Sequence, residues 1–229
     1  RKRATQQLVY KSKLAALEQQ SLNASMNRHF IFNALNSIQY FINTSDKISA
    51  NRYLTNFAKL IRKNLDSTTT ENYIVPLQEE IDRIQLYLSL ESMRFDRKFE
   101  YIIEVDEQLD TEVIKVPSMM LQPYIENGII HGILPKTEPG KIELKIYKHN
   151  NQVVFEIEDD GIGIEHSIQQ KKKSNNGVEH ISKGMEITSS RITLLQKITE
   201  KDISIEGPYQ LKNNKKYPGT KVVIKLPLN

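Results

Sequence analysis

The chain has 229 residues, 38% of them hydrophobic and 26% charged, with a net charge of +4 and no cysteine. That is an ordinary globular balance for one large domain or two small ones. It excludes disulfides and thiolate metal centres and suits a reducing compartment, and the small basic excess is no signature of direct nucleic-acid binding. No apolar run approaches the ~18 residues of a membrane span. The chain opens without Met on "RKRATQQLVYKSKLAALEQQ". A basic cluster of this kind follows the last membrane helix on the cytoplasmic side. The expectation is a cytoplasmic fragment of a longer protein, with a preceding inner-membrane segment and a plain solvated tail as the two alternatives for this start.

The first hundred residues read as helices. From Leu8 to Phe41, Leu14, Leu17, Leu22, Met26, Phe30, Asn33 and Ile38 trace a drifting stripe at helical spacing. Neither Pro nor Gly occurs before Pro76. A turn at Asn43 to Asp46 ends this helix, and Ser45 or Asp46 caps a second that runs to about Leu65. A third helix follows Pro76, with Glu79 and Glu80 in its first turn. Beyond Phe99 the texture changes to alternation. "FEYIIEV", "GKIELKIYKH", "NQVVFEIED", "DISIEG" and "TKVVIKLPL" read as strands, the second and third joined by a hairpin turn at His149 to Asn151. Helices are expected over Ser118 to Gly132 and Gly184 to Thr199. The fold class is thus a helical region, residues 1–96, followed by an α+β sandwich, residues 97–229. In the latter a mixed sheet carries helices on one face.

Four short stretches in the second half carry chemistry. "EDDGIGIE" places Asp159 after a strand, followed by Gly161 and Gly163. A carboxylate there can accept a hydrogen bond from an adenine amine, and glycines let a backbone approach a ligand. A polar turn is the plain alternative. "ENGIIHG" puts Asn127 and His131 four apart on one helix face, where a neutral oxygen and an imidazole suit magnesium and its phosphates. A helix stop at Gly132 is the plain alternative there. "SKGMEITSSRI" sets Gly184 before a helix carrying hydroxyls and Arg191, an arrangement that suits phosphate, with an ordinary amphipathic helix entered through Gly as the plain alternative. Gly219-Thr220 leads into the last strand.

In this order the four pieces resemble the GHKL-type ATP-binding fold shared by histidine kinases, DNA gyrase B, Hsp90 and MutL. The resemblance implies Asn127 as magnesium ligand, Asp159 with Gly161 and Gly163 as the adenine site, Gly184 as the second glycine box and Thr220 as its closing threonine. It also implies a lid over the phosphates between Ile164 and Lys183. Upstream, "MNRHFIFNALNSI" resembles the phosphoacceptor motif of LytS-like sensor histidine kinases. That resemblance, from about residue 20 to the end, implies His29 as phosphoacceptor, ATP and Mg²⁺ as cofactors, a homodimer, and a response regulator of the LytTR DNA-binding type as partner. A neutral imidazole is a competent nucleophile near pH 7. Asn33 lies one helical turn from His29, Phe30 and Phe32 are expected inside a helical bundle, and Glu126, beside Asn127, is the candidate base. Two positions depart from the pattern: Arg28 stands where the family has Pro, and Ser182 stands at the first glycine of the second box. The rivals are a nucleotide-binding scaffold that has lost transfer and a gyrase-like ATPase. The latter needs an acid a turn before Asn127, where this chain has Pro123.

Overall fold

The computed structural model describes residues 9–10, 28–66, 74–167, 193, 196, 202–211 and 216–228, with residues 28 and 29 described by their backbone. Apolar residues at helical spacing wind Arg28–Asn43 into helix α1. Phe30, Ala34, Ile38 and Phe41 form its packed side. Ser45 turns the chain in the left-handed region (φ 60°). Asp46 then accepts the Ser49 N–H at 3.0 Å and opens α2, Lys47–Asp66, so of the two expected caps it is Asp46 whose side chain caps. Helix α3, Leu77–Arg94, starts after Pro76, as the sequence predicts. The turn that ends it holds Asp96 and Arg97 at positive φ.

The described strands are β1 Ile74–Pro76, β2 Phe99–Val105, β3 Lys115–Pro117, β4 Gly140–His149, β5 Gln152–Asp159, β6 Ser204–Gln210 and β7 Thr220–Pro227. The longer ones, with alternating residues, build a five-stranded sheet in the order β2-β4-β5-β7-β6. β2 and β4 run parallel and the other pairs antiparallel, so the sheet is mixed. The β4–β5 hairpin turns on Asn150 and Asn151, both at positive φ, as a right-twisted two-residue turn demands. One sheet face is apolar: Leu144, Ile146, Phe155, Ile157 and Ile224 are buried in the common core. The other is a lattice of charges, where Lys221 bridges Glu156 at 3.0 Å and Glu158 at 2.9 Å.

Three features differ from the sequence reading. The small two-stranded sheet of β1 with β3 was not expected, because three residues give no alternation to read. β6 begins at Ser204 and continues through Pro208, with a register shift between Glu206 and Tyr209. The helix expected over Ser118 to Gly132 starts later, as α4, Gln122–Asn127, and widens into a π-helical segment, Gly128–Ile133. There Leu134 N–H reaches Ile129 O at 2.9 Å, five residues back. π-segments inside helices recur at functional sites. Of the helix expected over Gly184 to Thr199, only Thr193 and Gln196 are described, and both are helical.

Helix α3 faces both ways. Asn56 on α2 donates to Ser89 on α3 at 3.3 Å. One buried cluster runs from Ala34 and Tyr53 through Ile84 and Leu88 to Phe155 and Ile224. Helix α1 and the sheet therefore share a core through α3.

Candidate nucleotide-binding site

The end of β5 and the α4–π helix meet over a cavity of about 150 Å³. Asn127, His131, Asp159, Gly163 and Thr220 all line it. Residues predicted from separate stretches, up to 93 positions apart (Asn127 to Thr220), are thus brought to one place. Tyr124, Ile157, Val222 and Pro208 give it apolar walls. Ile157 and Val222 follow from the inward alternation of β5 and β7. Pro208 had no signal, because it depends on the path of β6.

Asp159 is the electrostatic centre. It is 7% exposed and its carboxyl is pushed up to about 7, chiefly by burial. The neighbouring Asp160 adds to the rise, while the Gly161 N–H, Lys136 and the Thr220 side chain pull the other way. The Gly161 N–H donates to Oδ1 at 2.9 Å. A buried carboxyl at a cavity wall is an acceptor that gains from a donor-bearing ligand.

The two glycines of the turn have different surroundings: Gly163 lines the cavity and Gly161 packs on the helix. Gly161 lies so close to the helix that a Cβ on it would meet the Gly132 carbonyl carbon at 2.2 Å. Ile162 N–H donates to Gly132 O at 3.0 Å. Gly161 and Gly132 therefore let the turn after β5 press against the π-segment, backbone to backbone. Gly163 has φ +75°, which a side chain rarely adopts.

Lys136 braces the turn from outside. It is 5% exposed and pairs with Asp160 at 2.9 Å. Asp160 also accepts the Lys141 N–H at 2.7 Å. No local motif announced this pair.

Glu126, next to Asn127, is exposed. Its carboxyl is nevertheless raised, to about 7, by desolvation and then by the Glu91 carboxylate, with Arg94 opposing. Glu91 itself is 2% exposed, pushed up by burial, and bonded to Arg94 at 3.2 Å.

On α1, Phe30 packs on Phe57 and Tyr87, with ring centroids 5.8 and 6.4 Å apart. Phe32 does not pack inside: it is 61% exposed, because it faces away from α2 and α3. Asn33 is half-buried and its carbonyl accepts the Ser37 hydroxyl at 2.9 Å. His29 belongs to the first turn of α1 by its backbone, and its side chain lies outside the described residues. Gly184, Arg191, Ser182 and most of the expected lid lie outside them too.

Residues 17–99 match the histidine kinase family model, and residues 115–229 match that of the histidine kinase-, DNA gyrase B- and HSP90-like ATPases. The sensor protein LytS of Bacillus cereus is 33% identical over 148 residues, which are 65% of this chain and 24% of LytS. The sensor histidine kinase YesM of Bacillus subtilis is 26% identical over 212 residues, 92% of this chain and 33% of YesM. The chain thus spans a quarter to a third of the length of these curated relatives. Among solved structures, the histidine kinase domain of the Erythrobacter litoralis EL346 blue-light activated histidine kinase is similar at 16% identity, with a TM-score of 0.43. The match covers 95% of this chain and 96% of that one.

Proposed function

This chain belongs to the LytS-like sensor histidine kinases and carries their ATPase-type domain, and from that premise we propose that it phosphorylates His29 from Mg-ATP. The observation that carries the reading is the convergence of Asn127, His131, Asp159, Gly163 and Thr220 on one cavity. Asp159 accepts the adenine amine between the apolar walls of Ile157 and Val222. Asn127 and His131 face the phosphates. Their neutral donors suit a magnesium ion that arrives on phosphate oxygens and keeps part of its water. Among the described residues no cluster of three or more His, Cys, Asp or Glu offers an all-protein cage instead. Bound magnesium supplies charge neutralisation for the transferring phosphoryl group.

In the transfer, a neutral His29 nitrogen attacks the γ-phosphorus as the bond to the β–γ bridging oxygen breaks and ADP leaves. Glu126 takes the imidazole proton, for which a raised carboxyl is suited. Asn33, one turn from His29, holds the imidazole's surroundings. Gly184 and Arg191 complete the phosphate side.

We assign residues 1–96 to dimerisation and phosphotransfer and 97–229 to catalysis, with α3, the last helix of the first region, sharing the core of the second. A homodimer is supported by Phe32, Leu35 and Ile42, exposed together on one face of α1. The phosphate then passes to an aspartate of a response regulator of the LytTR type. In the longer protein the chain is the cytoplasmic part of an inner-membrane sensor. No described helix is long and apolar enough to cross a membrane.

The test is labelling with γ-labelled ATP and Mg²⁺. Wild type should acquire acid-labile, alkali-stable label. His29→Gln should lose it at least ~100-fold while still binding nucleotide, and Asn127→Ala should lose both. Label that persists in His29→Gln would overturn the phosphoacceptor assignment. Nucleotide bound without any label in wild type would favour a nucleotide-binding scaffold.

A further inference from the structure

Helix α3 holds a buried ion pair outside the nucleotide cavity. Glu80 and Arg83 are both 0% exposed, with Arg83 Nη1 donating to Glu80 Oε2 at 2.6 Å. Arg83 Nη2 also donates to Glu79 Oε1 at 3.1 Å and reaches Lys63 O, near the end of α2, at 3.5 Å. Glu80 looks the other way. Its Oε2 accepts the Met119 N–H at 2.8 Å and its Oε1 accepts the Leu121 N–H at 3.2 Å.

Those two N–H groups lie just before α4. Met119 sits at φ +58°, a region that a methionine rarely occupies unless something holds it there. Leu121 is the N-cap residue, and its side chain has no oxygen with which to cap. Glu80 therefore supplies, from another helix, the acceptor that the start of α4 lacks. Six residues after Leu121 comes Asn127, and ten after it His131.

We propose that Glu80 and Arg83 are positioning residues for the nucleotide site, through which the end of α2 fixes where the Asn127-bearing helix begins. The proposal rests on the ATP reading of the cavity given above. Its physical basis is specificity of direction. A buried ion pair returns little net cohesion over apolar side chains of similar volume. Apolar side chains would fill the same space, yet they would leave the Met119 and Leu121 N–H groups without an acceptor. The start of α4 would then be free to shift, and Asn127 and His131 would move against Asp159. Because α2 is continuous with the hairpin that carries His29, a displacement of that hairpin would reach the cavity by the same route.

The experiment compares the full chain with Glu80→Asp and with Glu80→Met/Arg83→Met. It measures thermal melts, binding of trinitrophenyl-ATP with Mg²⁺, and label transfer at saturating ATP. Glu80→Asp keeps the charge beside Arg83 but is too short to hold both N–H groups. Both variants should remain folded at 20 °C, bind the analogue about tenfold more weakly and, once saturated, label several-fold more slowly. A folded variant of either kind with wild-type affinity and rate would show that the pair only fills space, and would overturn the proposal. Should the double variant fail to fold, Glu80→Asp decides alone. If wild type binds the analogue yet never labels, the kinase reading fails, while the affinity comparison still decides this one.

Discussion

The helical hairpin and the sheet region bury their apolar residues to different degrees. On α1, Phe32, Leu35 and Ile42 are 61%, 52% and 61% exposed. On α2, Ile48 is 74% exposed. In the sheet, strands β4 and β5 bury every apolar residue of their inner faces, and the outer face is covered by paired lysines and glutamates. The inner faces of β4 and β5 are covered within the described residues, whereas the hairpin presents an open apolar face. The difference teaches where each half's function is determined. The cavity is lined by residues of one chain and held by the backbone contact of Gly161 with Gly132. The hairpin's apolar face is the one proposed above for self-association.

Damage to the sheet region should therefore be lethal to the fold, and damage to the hairpin's outer face should spare it. The sharpest case is Gly161→Ala. Its Cβ would collide with the Gly132 backbone, which cannot swing aside as a side chain can. We expect a loss of about 3 kcal/mol or more in urea unfolding. Gly128→Ala is its control. There the new methyl would lie 3.2 Å from the tip of Ile142, and the cost should stay below about 1 kcal/mol. Equal costs at the two positions would remove the backbone-contact account of the cavity.

The hairpin counterpart is Leu35→Glu/Ile42→Glu. Two carboxylates on the exposed face should weaken self-association at least ~100-fold, about 2.7 kcal/mol, in sedimentation equilibrium. Binding of trinitrophenyl-ATP should stay unchanged, because neither residue lines the cavity. A dimer that survives would place its interface elsewhere. Lost nucleotide binding would mean that the two halves are less separable than their surfaces suggest.

The sequence showed more of the cavity than of its supports. Asp159, Asn127 and Thr220 were legible because each sits in a short motif whose chemistry is local. Strands were legible where one face is buried and the other charged, as in β4. What escaped is what depends on contacts distant in sequence. The π-segment accompanies the close approach of the turn after β5 to Gly132. The Glu80 bridge spans 39 and 41 positions to reach Met119 and Leu121. Phe32 escaped for the opposite reason: helical periodicity says that it faces away from Phe30, not whether that second face is covered.

Asp159, with a smaller effect than Gly161→Ala or the hairpin variant, divides stability from function within the cavity itself. Its carboxyl titrates near 7 when folded and near the ordinary 3.8 when unfolded. Between those values the folded chain holds the extra proton, so stability falls as pH rises through that window. Below about pH 4 both states are protonated and there is no penalty. Asp159→Asn removes the titration while keeping an oxygen for the Gly161 N–H. A tenfold change in proton affinity is worth about 1.4 kcal/mol, but burying the new amide offsets part of the gain, leaving a net ~1–2 kcal/mol at pH 8. The variant should therefore melt higher than wild type at pH 8 and together with it at pH 4. On the proposed role of Asp159 as acceptor for the adenine amine, the variant's affinity for trinitrophenyl-ATP should fall. A melting difference equal at both pH values would mean that Asp159 is ionised throughout. The cavity would then already compensate its charge without a ligand.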